Sequence, residues 1–440
     1  MTSTVRRAGA IAALTALSLS IPIRGPVLGA GIAVVLLLVG FGVRRGPLFD
    51  VLSLPADRAD GRLNSLLLLV LAAIVLGTLV GVTELSWAIV VGVILLLGFG
   101  DFTSQLARLK TADDAVAAAA FCVGGGLAAV SGMGATHAID GADVADILPM
   151  VVFLAASGAL FAAILRDQLP RYDDPLVLVL TGGLCWLLSL LEPVVTGTEL
   201  AIALIVMVVL GYASYRLETA SVAGMLAGIL LGLLTIVLGG WGWFAVLISF
   251  FAIGGLSTKY RYAEKERRGV AEGNNGARGS ANVFSNSAVA LVAVVGYAAS
   301  NVSVIGVDPL IFQFAFAGAV ATALGDTLSS EIGGVYENPR LITTFEVVPP
   351  GTDGGVTWQG ELAGIAGAST VAVIAAALFE PVTVVGFAVV LLSGIVGMTV
   401  DSLLGATLEG GRLGNQGVNF CATFTGALVG ALAVGPLGLV

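Results

Sequence analysis

Charge is what this sequence has least of. Only 11% of the 440 residues are Asp, Glu, Lys or Arg, where soluble chains carry about a quarter. Twenty basic and twenty-nine acidic side chains cannot coat a soluble protein of this size. Lysine is confined to Lys110, Lys259 and Lys265, and His137 is the single histidine. The basic residues stand in short clusters and the net charge is -9, which excludes the basic footprint that nucleic acid requires. The three cysteines, Cys122, Cys185 and Cys421, lack the paired spacing of disulfide frameworks and thiolate metal sites. No GxxxxGK[ST] string occurs, so a standard P-loop is absent.

What remains is apolar. Hydrophobic residues make up 57% of the chain and glycine contributes sixty. About fifteen apolar runs bounded by charge or proline are long enough to read as spans, from 8–23 through 310–325 and 382–400 to 420–440. The composition predicts an all-α, polytopic transmembrane helix bundle. Short cytoplasmic loops collect Lys and Arg. With the N-terminus inside and about fifteen spans, every basic residue but Arg24 falls on the inner side. Loops 257–284, 326–361 and 401–419 are therefore expected to face the cytoplasm of a multi-pass cell-membrane protein. The first run, after Arg6 and Arg7, is read as a retained span because no small-x-small cleavage site follows it. The glycines, Gly124-Gly125-Gly126 included, are read as close-packing positions.

The chain divides chemically into 1–199, where loops are short and plain, and 200–440, where they fill with Gly, Asn, Ser, Thr and carboxylates. In the first part only His137 with Asp140, Asp143 and Asp146 stands out, and their spacing is that of a solvated helical face. The second part holds four strings. Lys259–Arg268 is a juxtamembrane basic anchor, but Arg278 and Asn282 follow it four residues apart, a phosphate fork and an amide on one helical face. Next, Asp326-Thr327-Leu328-Ser329-Ser330-Glu331 ends a span with the hard oxygen ligands that Mg²⁺ takes. In a continuous helix Glu331 is about 140° from Asp326, too far round to share one ion with it. Gly351-Thr352-Asp353-Gly354-Gly355 has the composition of an anion-binding backbone nest and equally that of an ordinary turn. Finally, Asp401-Ser402-Leu403, followed by Thr407, Glu409 and Asn419, repeats the Asp-hydroxyl-Leu of the second string seventy-five residues later. Two such acids in one pocket would make a cation site between helices.

These strings, in this order over about residues 200–440, resemble an integral membrane family that contains the plant phytyl-phosphate kinase and the animal transmembrane protein nineteen. More distantly they resemble dolichol kinase and phosphatidate cytidylyltransferase. The resemblance implies phosphoryl transfer from CTP or another nucleoside triphosphate to a prenyl or phytyl monophosphate dissolved in the membrane. On that reading Asp326 and Asp401 hold Mg²⁺, with Glu331 as a further ligand. Arg278, Gly351, Thr352, Gly354 and Gly355 hold phosphate, while Asn282 and Asn419 orient it. Cytidylyl transfer to a lipid phosphate and membrane transport are the alternatives. Residues 1–199 lie outside the resemblance.

Overall fold

A chain inside hydrocarbon has no water to satisfy its N–H and C=O groups, so each apolar run must close its own hydrogen bonds as a helix. The computed structural model describes residues 3–169, 174–271, 279–379 and 384–437. Two compact units, Met1–Ile202 and Ala203–Val440, divide the chain.

The first unit contains α1 (Ser3–Ala16), α2 (Ser20–Arg24), α3 (Pro26–Gly42), α4 (Pro47–Leu52), α5 (Pro55–Asp60) and α6 (Asn64–Val80). It continues with α7 (Trp87–Ala107), α8 (Asp114–Ile139), α9 (Val144–Gln168) and α10 (Asp174–Leu190), and the boundary falls in α11 (Gly197–Arg216). The second unit contains α12 (Val222–Gly239), α13 (Trp241–Ser249), α14 (Gly255–Lys259), α15 (Tyr262–Arg268) and α16 (Ser280–Asn301). It ends with α17 (Pro309–Gly333), α18 (Trp358–Leu378), α19 (Val384–Leu408) and α20 (Asn415–Ala433). Among the described residues, eleven helices are long and apolar enough to cross a membrane, and α3, α6 and α10 are apolar but shorter. The protein is an all-α polytopic membrane bundle.

Two expectations about helix limits are corrected. The run 8–23 is not one helix: α1 stops at Ala16, a 3-10 turn covers Leu17–Leu19, and α2 follows. Pro22 has no N–H for the Ser18 carbonyl and its ring crowds that turn, while the Ser20 hydroxyl donates to Leu17 O at 2.6 Å. Conversely, the run 310–325 does not end at its first acid. The α17 helix continues to Gly333 and α19 to Leu408, so Asp326 and Asp401 lie inside helices, about two turns before their ends. Ser, Thr and Glu can continue a helix whose polar groups leave the apolar layer. Elsewhere the acidic trio of the first unit serves helix ends: Asp140 is the C-terminal cap residue of α8, and Asp143 caps α9 by accepting from Ala145 N at 2.9 Å.

Small residues set the packing. In the first unit a methyl group added to Gly125 would sit 2.6 Å from Leu96 O, which gives the triple glycine its reason: α8 lies backbone-close on α7. In the second unit α17 is the central helix, buried along most of its length and packed by α16, α18, α19 and α20. A methyl group on Gly318 would fall on the Gly426 carbonyl of α20 and 3.1 Å from Ser393 Cβ of α19. One on Gly367 of α18 would be 3.0 Å from Leu324 O. Backbones this close gain contact without a hydrophobic driving force, which the bilayer does not supply.

These contacts fix helix registers. Gly318 meets Ser393, and Gly397 lies on Thr322 with its would-be methyl 2.8 Å from Thr322 Cβ. Thr322 Oγ1 also donates to Ser393 O at 3.3 Å. The α17 and α19 helices are thus parallel, level at an offset of seventy-five residues. Against α20 the register is antiparallel, with Gly426 at Gly318 and Gly430 at Phe314. At the opposite end of α17 from its acids, Trp243 packs on Phe316, Tyr297 and Phe379 with ring centroids 4.6, 4.5 and 5.4 Å apart.

Candidate functional site

The seventy-five-residue offset has a chemical result. Asp326 on α17 and Asp401 on α19 stand at one level, and their carboxyl groups share a hydrogen bond. Carboxylates alone only accept, so the pair needs a shared proton or a cation. Asp401 Oδ1 is buried and has no hydrogen-bond partner. An orphaned, desolvated carboxylate oxygen beside a second carboxylate is the donor set of a hard divalent ion. Among the described residues no three of His, Cys, Asp and Glu converge closely enough to hold an ion alone. Mg²⁺ commonly takes one or two carboxylates and completes its shell with water and substrate phosphate, so the residues present fit that ion.

Both asparagines lie at this level. The antiparallel register of α16 on α17, anchored by Gly296 against Phe312, sets Asn282 level with Asp326. The α17–α20 register sets Asn419 level with Gly325. Arg278 lies outside the described residues. The structure thus brings Asp326, Asp401, Asn282 and Asn419 to one depth of the unit, at the end where α17 and α19 finish and α16, α18 and α20 begin.

Glu331 is placed differently. It continues round α17 to a buried ion pair with Lys265 of α15, whose side chain is 1% exposed. The same ammonium donates to Thr258 O at 2.8 Å and Ser257 O at 3.3 Å. Lysine has three donors, and all three are engaged. Lys265 therefore pins α14 and α15 to α17 and keeps no N–H for a phosphate. The basic string read as a topology anchor holds one buried residue that nothing in its spacing distinguishes.

Between α17 and α18 the chain forms a small antiparallel ribbon, β1 (Arg340–Leu341) with β2 (Gly355–Val356), in the register Arg340 to Val356 and Leu341 to Gly355. Inside the glycine string, Thr352 N donates to Pro349 O at 3.2 Å and Gly355 N to Thr352 O at 2.9 Å. Two amides of the expected nest are thus used by consecutive turns. Gly351 and Gly354 have φ of +83° and +72°, where a side chain is strained. Gly354 also rests on α19: a methyl group there would lie 2.6 Å from both Ser402 O and Ala406 N. Its first role is to seat this loop one turn beyond Asp401.

That seating gathers acids. Burial, and after it the charges of Asp353 and Asp401, raise the Glu409 carboxyl above its ordinary value. Across the α17–α18 contact, Glu361 is hydrogen-bonded with Ser329, where Gly360 and Gly364 let α18 touch α17. Glu409 stands in the fourth string without an assigned role, and Glu361, in the first turn of α18, belongs to no string. Gly354→Ala should impose both the φ strain and the clash, lowering cation-dependent stabilisation at least about tenfold in ligand affinity. Titration of Mg²⁺ against the unfolding midpoint checks this, and an unchanged affinity would remove the loop from the site.

The family described as integral membrane protein DUF92 matches residues 205–427. An uncharacterized membrane protein of Methanocaldococcus jannaschii is 35% identical over 217 residues, which cover 48% of this chain and 83% of that one. The chloroplastic protein VTE6 of Arabidopsis thaliana is 33% identical over 223 residues, 48% of this chain and 64% of its own. Protein PGR of the same plant is 33% identical over 232 residues, 48% and 79% respectively. No solved structure matches the chain.

Proposed function

Because this chain belongs to the DUF92 integral membrane family, we propose that it is a membrane-embedded phosphotransferase acting on an isoprenoid lipid. The reaction is transfer of the terminal phosphoryl group of CTP, or another nucleoside triphosphate, to a prenyl or phytyl monophosphate. An oxygen of the lipid phosphate attacks the terminal phosphorus, the bond from that phosphorus to its bridging oxygen breaks, and a nucleoside diphosphate leaves with the electron pair. The carrying observation is the Asp326–Asp401 pair with its orphaned oxygen, at one end of a bundle this apolar.

Phosphoryl transfer needs positioning and charge neutralisation rather than covalent help from the protein. Mg²⁺, when bound, would offset the charge that repels attacking and leaving oxygens. Asp326 and Asp401 would hold it. Asn282 and Asn419 supply neutral amide donors to phosphate oxygens at the same depth, and Arg278 a charged fork. The loop Gly351–Gly355, seated on α19, closes the site on its polar side. Each buried CH₂ of a prenyl tail is worth about 0.8 kcal/mol, so the acceptor partitions into the bilayer and arrives by lateral diffusion, head toward the cytoplasmic face.

Purified protein incubated with Mg²⁺, prenyl monophosphates and CTP, ATP, GTP or UTP separately is expected to yield the prenyl diphosphate by mass spectrometry. Release of pyrophosphate with a cytidylylated lipid would replace this reading with cytidylyl transfer. The parallel, in-register repeat of Asp-hydroxyl-Leu on α17 and α19 favours a second reading, transport, because repeated units commonly flank a transport site. Uptake into proteoliposomes without product from any nucleotide would establish it.

A further inference from the structure

The first unit holds a half-open apolar cavity of about 310 Å³ between α1, α2, α3, α6 and α7, with Leu14, Ala33, Leu36, Ile74 and Trp87 among its walls. A 150 Å³ apolar cavity accommodates benzene, so this one has room for roughly a dozen carbons. Ile11, Thr15, Leu66, Leu69, Ala73 and Ile94 are shared with a second, smaller space of about 40 Å³, whose other walls carry Arg7, Ser65, Asp101, Arg166 and Asp174. The greasy space and the charged chamber are thus neighbours across shared side chains.

Within the chamber Arg166 is committed. It donates to Asp101 at 2.9 Å, pairs with Asp174 at 3.7 Å, and lies over the Phe121 ring at 5.2 Å. Arg7 is not: its Nε donates to Leu52 O at 3.1 Å, and among the described residues its terminal nitrogens have no hydrogen-bond or ion-pair partner. Asp57, which also acts on Arg7, is already held by Leu54 N, Ser65 N and Ser65 Oγ. The chamber therefore offers guanidinium donors beside carboxylate acceptors.

Its charge and size decide which head group it takes. Arg7 and Arg166 face Asp101 and Asp174 in its walls, and the charge of Asp57, which lies outside them, also acts on Arg7, so an added anion would enter a negative surplus. A space of about 40 Å³ is a few times the roughly 10–15 Å³ that one water requires, so the head group must be small. A hydroxyl fits both limits, since it accepts from Arg7 while donating to a carboxylate. We propose that the first unit binds a neutral long-chain alcohol, its hydroxyl between Arg7 and the Asp101/Asp174 carboxylates and its chain in the cavity toward Ile21 and Trp87. This site stands on its own residues and is independent of the phosphotransferase reading.

The test is photolabelling of the full-length protein in detergent with hexadecanol carrying a diazirine at the chain tip, followed by peptide mapping. Labels are expected on α1–α3 around Ser18–Ala33. Unlabelled hexadecanol should compete at about tenfold lower concentration than palmitate, hexadecyl phosphate or hexadecane. Ala73→Phe on α6 and Ala33→Phe on α3, both in the cavity lining, should each reduce labelling at least about fivefold while the protein elutes unchanged in size-exclusion chromatography. Labelling that no competitor reduces, or that spreads over lipid-facing helices, would show an ordinary bilayer groove and overturn the proposal. Better competition by the acid or phosphate overturns the assigned head group. Labels at Asp101 and Arg166, with the hydroxyl then at the unpartnered Ser18 Oγ, overturn the orientation.

Discussion

Asp326→Asn and Asp401→Asn are each expected to lower Mg²⁺-dependent turnover by about a hundredfold or more while leaving the protein as heat-stable as the wild type, or more so. The two effects have opposite signs for one reason. In the absence of a cation the carboxyl groups share a hydrogen bond that an Asn–Asp pair can also make, without having to take up a proton to avoid two like charges. In its presence, half of the protein's share of the ion's ligands is lost. Charge stabilisation by a metal is worth several kcal/mol, and each 1.36 kcal/mol is a factor of ten in rate. A readout independent of turnover is available. Mg²⁺ should raise the unfolding midpoint of the wild type by linkage, and neither variant should respond. If both variants lose folded protein and the wild type is indifferent to Mg²⁺, these acids are structural and the cation site is withdrawn.

Lys265→Met should be the most destabilising single change in the second unit, by about 3–5 kcal/mol, the usual cost of removing one partner from a buried ion pair. It removes the ammonium that pairs with the Glu331 carboxylate, whose side chain is 9% exposed, and that donates to the carbonyls of Ser257 and Thr258. The double variant Lys265→Met, Glu331→Leu removes both charges and should recover much of the loss, because well-packed apolar pairs often replace buried ion pairs at no cost. Thermal unfolding of both proteins in one detergent measures this. A single variant as stable as the wild type would mean that water reaches the pair and that α15 is not pinned through it. Turnover adds a second distinction: if Glu331 also ligated the cation, the double variant would fold yet fail to respond to Mg²⁺. Recovery of both fold and Mg²⁺ response assigns Glu331 to the ion pair alone.

The all-α membrane character was legible because a bilayer leaves the backbone one economical solution, and apolar composition over a run of this length reports it without reference to partners. Membership was legible too, since Asp326-Thr327-Leu328 and Asp401-Ser402-Leu403 stand in the chain as written. Helix geometry alone separates Glu331 from Asp326 by about 140° round α17, but it does not show that Lys265 pairs with it. Sequence did not say that Asp326 faces Asp401. That depends on Gly318, Thr322 and Gly397 bringing α17 and α19 together in parallel at a single offset, and packing between segments so far apart leaves no local signature.

Burial was equally invisible. Lys265 sits among four other basic residues between 259 and 268 and is set apart from them by its burial, which the sequence does not show. Gly354 carries the same residue type whether a loop opens its amides to an anion or lays its backbone on a helix, and only the positions of Ser402 O and Ala406 N distinguish the two. The polar chamber of the first unit, whose Arg7 and Arg166 are more than 150 residues apart in the chain, exists only once α1, α7, α9 and α10 are packed. Sequence by itself determined that the chain is an all-α membrane bundle and which residue types could do chemistry. Tertiary structure decided which of those residues meet, because hydrogen bonding within a helix is local and close packing between helices is not.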